Sequence, residues 1–119
     1  MAVITPIQTN PIDGNSEFML VSWPNMANGD TGAPFILAQY ADRSVQVEGT
    51  FGAGGLVNIE GTNDTVNWAV LNDPFSNAIA ISTSQIEAVT ELVVQIRPNV
   101  AGGDGTTNLT VSMLVRKNK

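Results

Sequence analysis

Apolar and polar residues alternate with a period of two along much of the chain, the pattern of strands with one face in a core. Residues 44–51 are the clearest case. Val45, Val47, Gly49 and Phe51 fall on one face, and Gln46, Glu48 and Thr50 on the other. Residues 56–62 alternate in the same way, and residues 108–116 place Leu109, Val111, Met113 and Val115 on one side. Further strands are predicted over residues 3–7, 17–23, 35–40, 68–71, 78–82 and 90–97. Turn clusters separate them: Asn28-Gly29-Asp30-Thr31-Gly32, Gly52-Ala53-Gly54-Gly55, the loop 63–67 and Gly102-Gly103-Asp104-Gly105. No stretch of a dozen residues keeps a 3.6-residue apolar period free of breakers. The best helix candidate, residues 82–94, starts with a possible cap at Ser82-Thr83-Ser84-Gln85, but its later part reads as a strand.

Eight or nine short strands with closely spaced turns predict an all-β fold, an antiparallel β-sandwich of the jelly-roll kind. The 119 residues suit one such domain, and the 11 glycines and 6 prolines suit its turns. Residues 1–34 stand apart. They hold Pro6, Pro11, Pro24 and Pro34 and little regular alternation. They are expected to form an extended N-terminal arm plus a first strand, with the sandwich domain over 35–119. Apolar residues recur in this segment although its prolines bar a regular inner strand throughout. Ile4, Ile7, Phe18, Met19, Trp23 and Met26 are therefore expected to make interface contacts.

Cysteine and histidine are both absent. That removes disulfides, thiolate chemistry, Ser-His-Asp and Cys-His catalysis and nearly every zinc site, so no enzyme and no cofactor are expected. Glu48 and Glu60 are the only carboxylates on alternating strands that invite a glycosidase reading, and both are expected to face solvent. Asp13-Gly14-Asn15 and Asn63-Asp64 offer oxygens to calcium, yet neither has EF-hand spacing, and Asx turns account for both. The glycines at 52–55 precede an alternating strand rather than a helix, so they form a turn and not a phosphate loop. Trp68 is expected to pack at the sandwich edge, whereas Trp23 is more open to an interface role.

Net charge is −6, and no base lies between Arg43 and Arg97. An acidic body repels phosphate, so no nucleic-acid partner is expected. Arg116, Lys117 and Lys119 form a short basic end, either solvated or meeting an acidic partner in a salt-sensitive contact. No apolar run approaches the ~20 residues of a membrane span, and the first residues lack the pattern of a signal peptide, so no membrane partner is expected. The glycosylation-like triplets at Asn63 and Asn108 then read as chance.

The run Val57-Asn58-Ile59-Glu60-Gly61-Thr62-Asn63-Asp64-Thr65-Val66-Asn67-Trp68 resembles a segment of discoidin-like jelly rolls and of small virion proteins of tailed bacteriophages. The phage pattern continues through Leu71-Asn72-Asp73-Pro74, Ile79-Ala80-Ile81 and Ile96-Arg97-Pro98. It ends in Gly102-Gly103-Asp104-Gly105-Thr106-Thr107-Asn108-Leu109-Thr110-Val111. Order and spacing agree from about Phe51 to Arg116, and Thr62 and Thr65 stand where the discoidin-like segment prefers Ser and Gly. The resemblance implies a capsid decoration or cement protein on the outer surface of the phage head. Its partners would be the major capsid protein and itself, as a homotrimer. Two other readings compete: a carbohydrate-binding or receptor-binding module of a phage tail, and another virion component such as a collar or head-completion protein.

Overall fold

The computed structural model describes residues 1–11, 17–37 and 40–117. Among these residues there are twelve strands: β1 (Val3–Ile4), β2 (Ile7–Thr9), β3 (Phe18–Met26), β4 (Thr31–Gly32), β5 (Phe35–Ile36), β6 (Tyr40–Thr50), β7 (Leu56–Thr62), β8 (Ala69–Val70), β9 (Ala80–Ile81), β10 (Gln85–Ala88), β11 (Gln95–Gly102) and β12 (Asn108–Lys117). No helix occurs among the described residues. The expected all-β sandwich is found. One sheet runs β1-β4-β11-β7-β8, with β5 on the β4 side of β11 and β9 on the β8 side of β7. The other runs β10-β6-β12-β3-β2. Setting β1 and β2 aside and taking β4 with β5 and β8 with β9 as broken strands leaves four main strands in each sheet. Their order is that of a jelly roll, two interleaved Greek keys.

Between the sheets lies one core, filled by the inward positions of both. Val45, Val47, Val111, Met113 and Val115 meet Val57, Ile59, Ile96 and Val100, with Leu71, Ile79 and Ile81 closing one edge. β3 also belongs to this core, in a way that simple alternation does not predict. Trp23 and Met26 are three residues apart, so a regular strand would send them to opposite faces. Instead the register against β12 slips between Leu109 and Val111, and Asn25 takes a left-handed φ of 54°. This bulge absorbs one residue and gives Pro24, which has no N–H, a place within the strand. Trp23 and Met26 then both point inward, 1% and 0% exposed.

The sequence ended this strand at Pro24; the bulge carries it on. In the region 82–94, where the sequence offered a helical turn, β10 forms an edge strand on β6. Its alternation is inverted, with Ile86 outward and Gln85 and Glu87 half-buried, so the pattern concealed it. Pro98 lies inside β11 rather than ending a strand, paired with Ile59.

The first residues switch sheets. β1 runs parallel to β4 in one sheet, and after Thr5-Pro6 β2 pairs with β3 in the other. The division expected at residue 34 falls between β4 and β5, which share an edge of β11. Upstream of that division, β3 contributes Val21, Trp23 and Met26 to the common core.

Candidate functional site

The outer faces of the two sheets differ in chemistry. On the larger sheet the centre of the outer face is polar and internally paired, with Val3 and Ile36 exposed toward one edge. Glu60 accepts from Arg97 Nε (2.9 Å) through Oε1 and from Asn99 Nδ2 (3.0 Å) through Oε2. The Arg97 guanidinium lies 4.1 Å from the centre of the Trp68 ring. Trp68 is thus half-buried on an outer face under a cation and is not core, whereas Trp23 is wholly core. The two tryptophans exchange the places expected of them. An Arg97 capable of covering the indole is visible only once β11 lies beside β7.

On the five-stranded sheet the outward rows run across strands by register. Ile86, Gln46, Ser112, Ser22 and Ile7 form one row, and Ala88, Ser44, Leu114, Leu20 and Thr9 the next. Ile7, Ile86 and Leu114 are 54%, 61% and 36% exposed. Leu20, Ser44, Gln46, Ile86, Ser112 and Leu114 line a shallow depression of about 180 Å³. A second, of about 240 Å³, lies at the Phe18 end, where Arg116 pairs with Asp42 and faces the Phe18 ring. Aliphatic side chains thus alternate with polar ones across the sheet, with Asp42 and Arg116 at one end and Glu48, which accepts from the Gln46 side chain, toward the other.

A third feature is a cleft of about 510 Å³ at the 62–72 edge. Its floor is Gly61, Leu71 and Val93, and its rim carries Asn63, Asp64, Asn67, Asn72 and Glu91. Asp64 holds the rim loop in shape by accepting from the amides of Val66 and Asn67, the Asn67 side chain and the Thr62 hydroxyl. These bonds, the Asn67 amide foremost, hold its carboxyl well below the usual carboxylate range. A comparable knot ties two hairpins at the other end. Asp104 accepts from the Ala53 amide and from the hydroxyl and amide of Thr106, and these lower its pKa to about 2. The glycines at 52–55 are therefore a turn braced by Asp104.

Of the six expected interface residues, Trp23 and Met26 are core of the chain itself. Ile4 and Met19 are half-buried against that core, and the Tyr40 hydroxyl donates to Met19 Sδ at 3.5 Å. Ile7 and the half-buried Phe18 belong to the outer face of the five-stranded sheet. Glu48 and Glu60 lie on different sheets, so they form no carboxylate pair. Among the described residues no group of three Asp or Glu is placed to hold a metal, and the expected oxygens at 13–15 lie outside those residues. Missed by the sequence reading were Leu20, Ile86 and Leu114; the outward apolar position of Leu114 in the alternating strand β12 was the available signal, and Ile86 had none because β10 was concealed.

No protein-family model matches the chain, and no curated protein matches it. Among solved structures, the fold is similar to the crystal structure of the SPBc2 prophage-derived protein YomS, with a TM-score of 0.61 at 10% identity. That similarity covers 82% of this chain and 93% of that one.

Proposed function

We propose that this chain is a structural part of a tailed-phage virion, a decoration or cement protein on the outside of the head. It docks on major capsid subunits through the outer face of its five-stranded sheet. The carrying observation is that face: Leu20, Ile86 and Leu114 line one shallow depression, with Ile7 exposed at the far edge, while the centre of the opposite sheet carries internally paired polar groups. Five strands of 4, 11, 10, 9 and 3 residues, about 4.8 Å apart, give a face of roughly 600 Å², somewhat less than the ~800 Å² that each partner contributes to a standard interface. Exposed aliphatic side chains gathered around a shallow depression are the kind of surface that a partner covers. The phage-like residue series and the fold shared with a prophage-derived protein support the same reading. On the shell the copies are expected as homotrimers, as the resemblance implies.

Decoration-free heads of the encoding phage, mixed with purified protein and sedimented, test the proposal. The wild-type chain should co-sediment, and cryo-EM should place it outside the shell with the Leu114 face inward. Ile86→Asp and Leu114→Asp change exposed positions, so both should fold normally yet fail to attach. Phe75→Ser, at an exposed loop on the other sheet, should attach as wild type. Wild-type protein that ignores the heads would refute the function.

A further inference from the structure

The cleft at the 62–72 edge is chemically unlike the docking face, and we propose that it is a glycan-binding site for a neutral sugar unit. Its volume, about 510 Å³, falls within the range of small-molecule sites. Leu71 and Val93 press onto Gly61, where a Cβ would come within 2.8 Å of Leu71 and 3.0 Å of Val93, so the floor is firm and apolar. Such a floor suits the C–H face of a pyranose ring. Around it stand groups that match hydroxyls. The side chains of Asn63 and Asn72 have no hydrogen-bond partner among the described residues, and each offers a donor and an acceptor. Asn67 gives its N–H to Asp64 and keeps its carbonyl oxygen, and Glu91 accepts from the Asn72 amide through one oxygen, leaving the other.

Charge fixes the class further. Asp64 and Glu91 line the cleft and no cation does, so phosphate and uronate ligands are repelled. A lipid or planar aromatic would leave the amide rim unpaired. Asp64 has all its described bonds inside the loop, which makes it the brace and leaves recognition to Asn63, Asn72 and Glu91. A loop held in shape beforehand loses little entropy on binding. This site is independent of what the opposite face docks on.

Titration of the labelled full chain by NMR, with triacetylchitotriose, maltotriose and cellotriose as neutral probes and a hyaluronan tetrasaccharide as the anionic one, tests the site. At least one neutral probe should give saturable shifts at millimolar sugar, confined to residues 61–72 and 91–93 and including the Asn63 and Asn72 side-chain amides. The Asn63→Ala, Asn72→Ala double variant should keep its backbone spectrum elsewhere and lose those shifts. The proposal is overturned by an absence of saturable shifts with all three neutral probes, by their survival in the double variant, by a preference for the anionic probe, or by their loss on adding EDTA.

Discussion

Gly32 has no room for a methyl group. A Cβ there would lie 2.6 Å from the Pro98 ring and 2.7 Å from the Trp23 indole, both held in the core. The indole is further fixed by its Nε1–H, which donates to the Ala33 carbonyl at 3.0 Å. Gly32→Ala is therefore expected to cost about 1–3 kcal/mol by overpacking, and Trp23→Ala about 3–5 kcal/mol by cavity formation, read from urea unfolding midpoints. None of this local geometry is legible in the sequence, because it depends on a bulge that turns Trp23 and Met26 to the same side. The turn chemistry was legible: Asn-Asp and Gly-Asp-Gly segments were read as turns, and Asp64 and Asp104 brace them. Both carboxyls are depressed in the folded state. Their contribution is thus fully present above the ordinary Asp pKa of about 3.9 and is lost as the pH falls through the folded value, about 2 for Asp104. Melting temperature should therefore decline between about pH 4 and pH 2, and Asp104→Asn should flatten that decline while lowering stability at neutral pH.

Among the elements, the regular alternating strands were found in the sequence nearly to the residue, as with β7 at Leu56–Thr62 and β12 at Asn108–Lys117. Short edge pieces were harder. β4 is two residues long and β10 carries its apolar side chain outward, so neither length nor period marks them, and the strand expected over residues 35–40 is shortened to β5 at Phe35–Ile36 before β6 starts at Tyr40. The first strand was expected along residues 3–7 and is instead two pieces that cross from one sheet to the other at Thr5-Pro6. Asp30 secures this crossing. Its buried carboxylate accepts from the Ala2 amide (2.9 Å) and the Ala27 amide (2.8 Å), and beside it Thr31 and Ala33 donate to the carbonyls of Ala2 and Ile4. Asp30→Ala leaves two amides without an acceptor, at about 1–3 kcal/mol. Hydrogen exchange should then accelerate at Thr31 and Ala33, with central β12 amides such as Val111 and Met113 changing far less. Uniform acceleration across both strands would mean that Asp30 supports the whole fold and not β1 alone.

At the scale of the molecule, the engagement of most cations within the chain sets how docking should respond to salt. Arg43 is buried, where loss of hydration lowers its pKa, and its guanidinium donates to the carbonyls of Ala41 and Glu91. Arg97 is paired with Glu60, and Arg116 with Asp42. Three of the five cations are thus already engaged, and Lys119 lies outside the described residues. The docking face consists mostly of aliphatic and serine side chains, whose burial contributes roughly 25 cal/mol per Å² of apolar surface with no dependence on ion screening. Attachment to heads through this face should consequently hold from about 0.01 to about 1 M monovalent salt, across which the Debye length shrinks from about 30 to about 3 Å. Sulfate, which is excluded from protein surface, should strengthen it. A contact led by Arg116 and Lys117 against an acidic partner behaves in the opposite way, weakening steeply over the same range. Sedimentation of decorated heads across the salt series separates the two. Release at high salt would move the docking site to the basic end of β12, and retention with loss only in Leu114→Asp and Ile86→Asp would fix it on the five-stranded sheet.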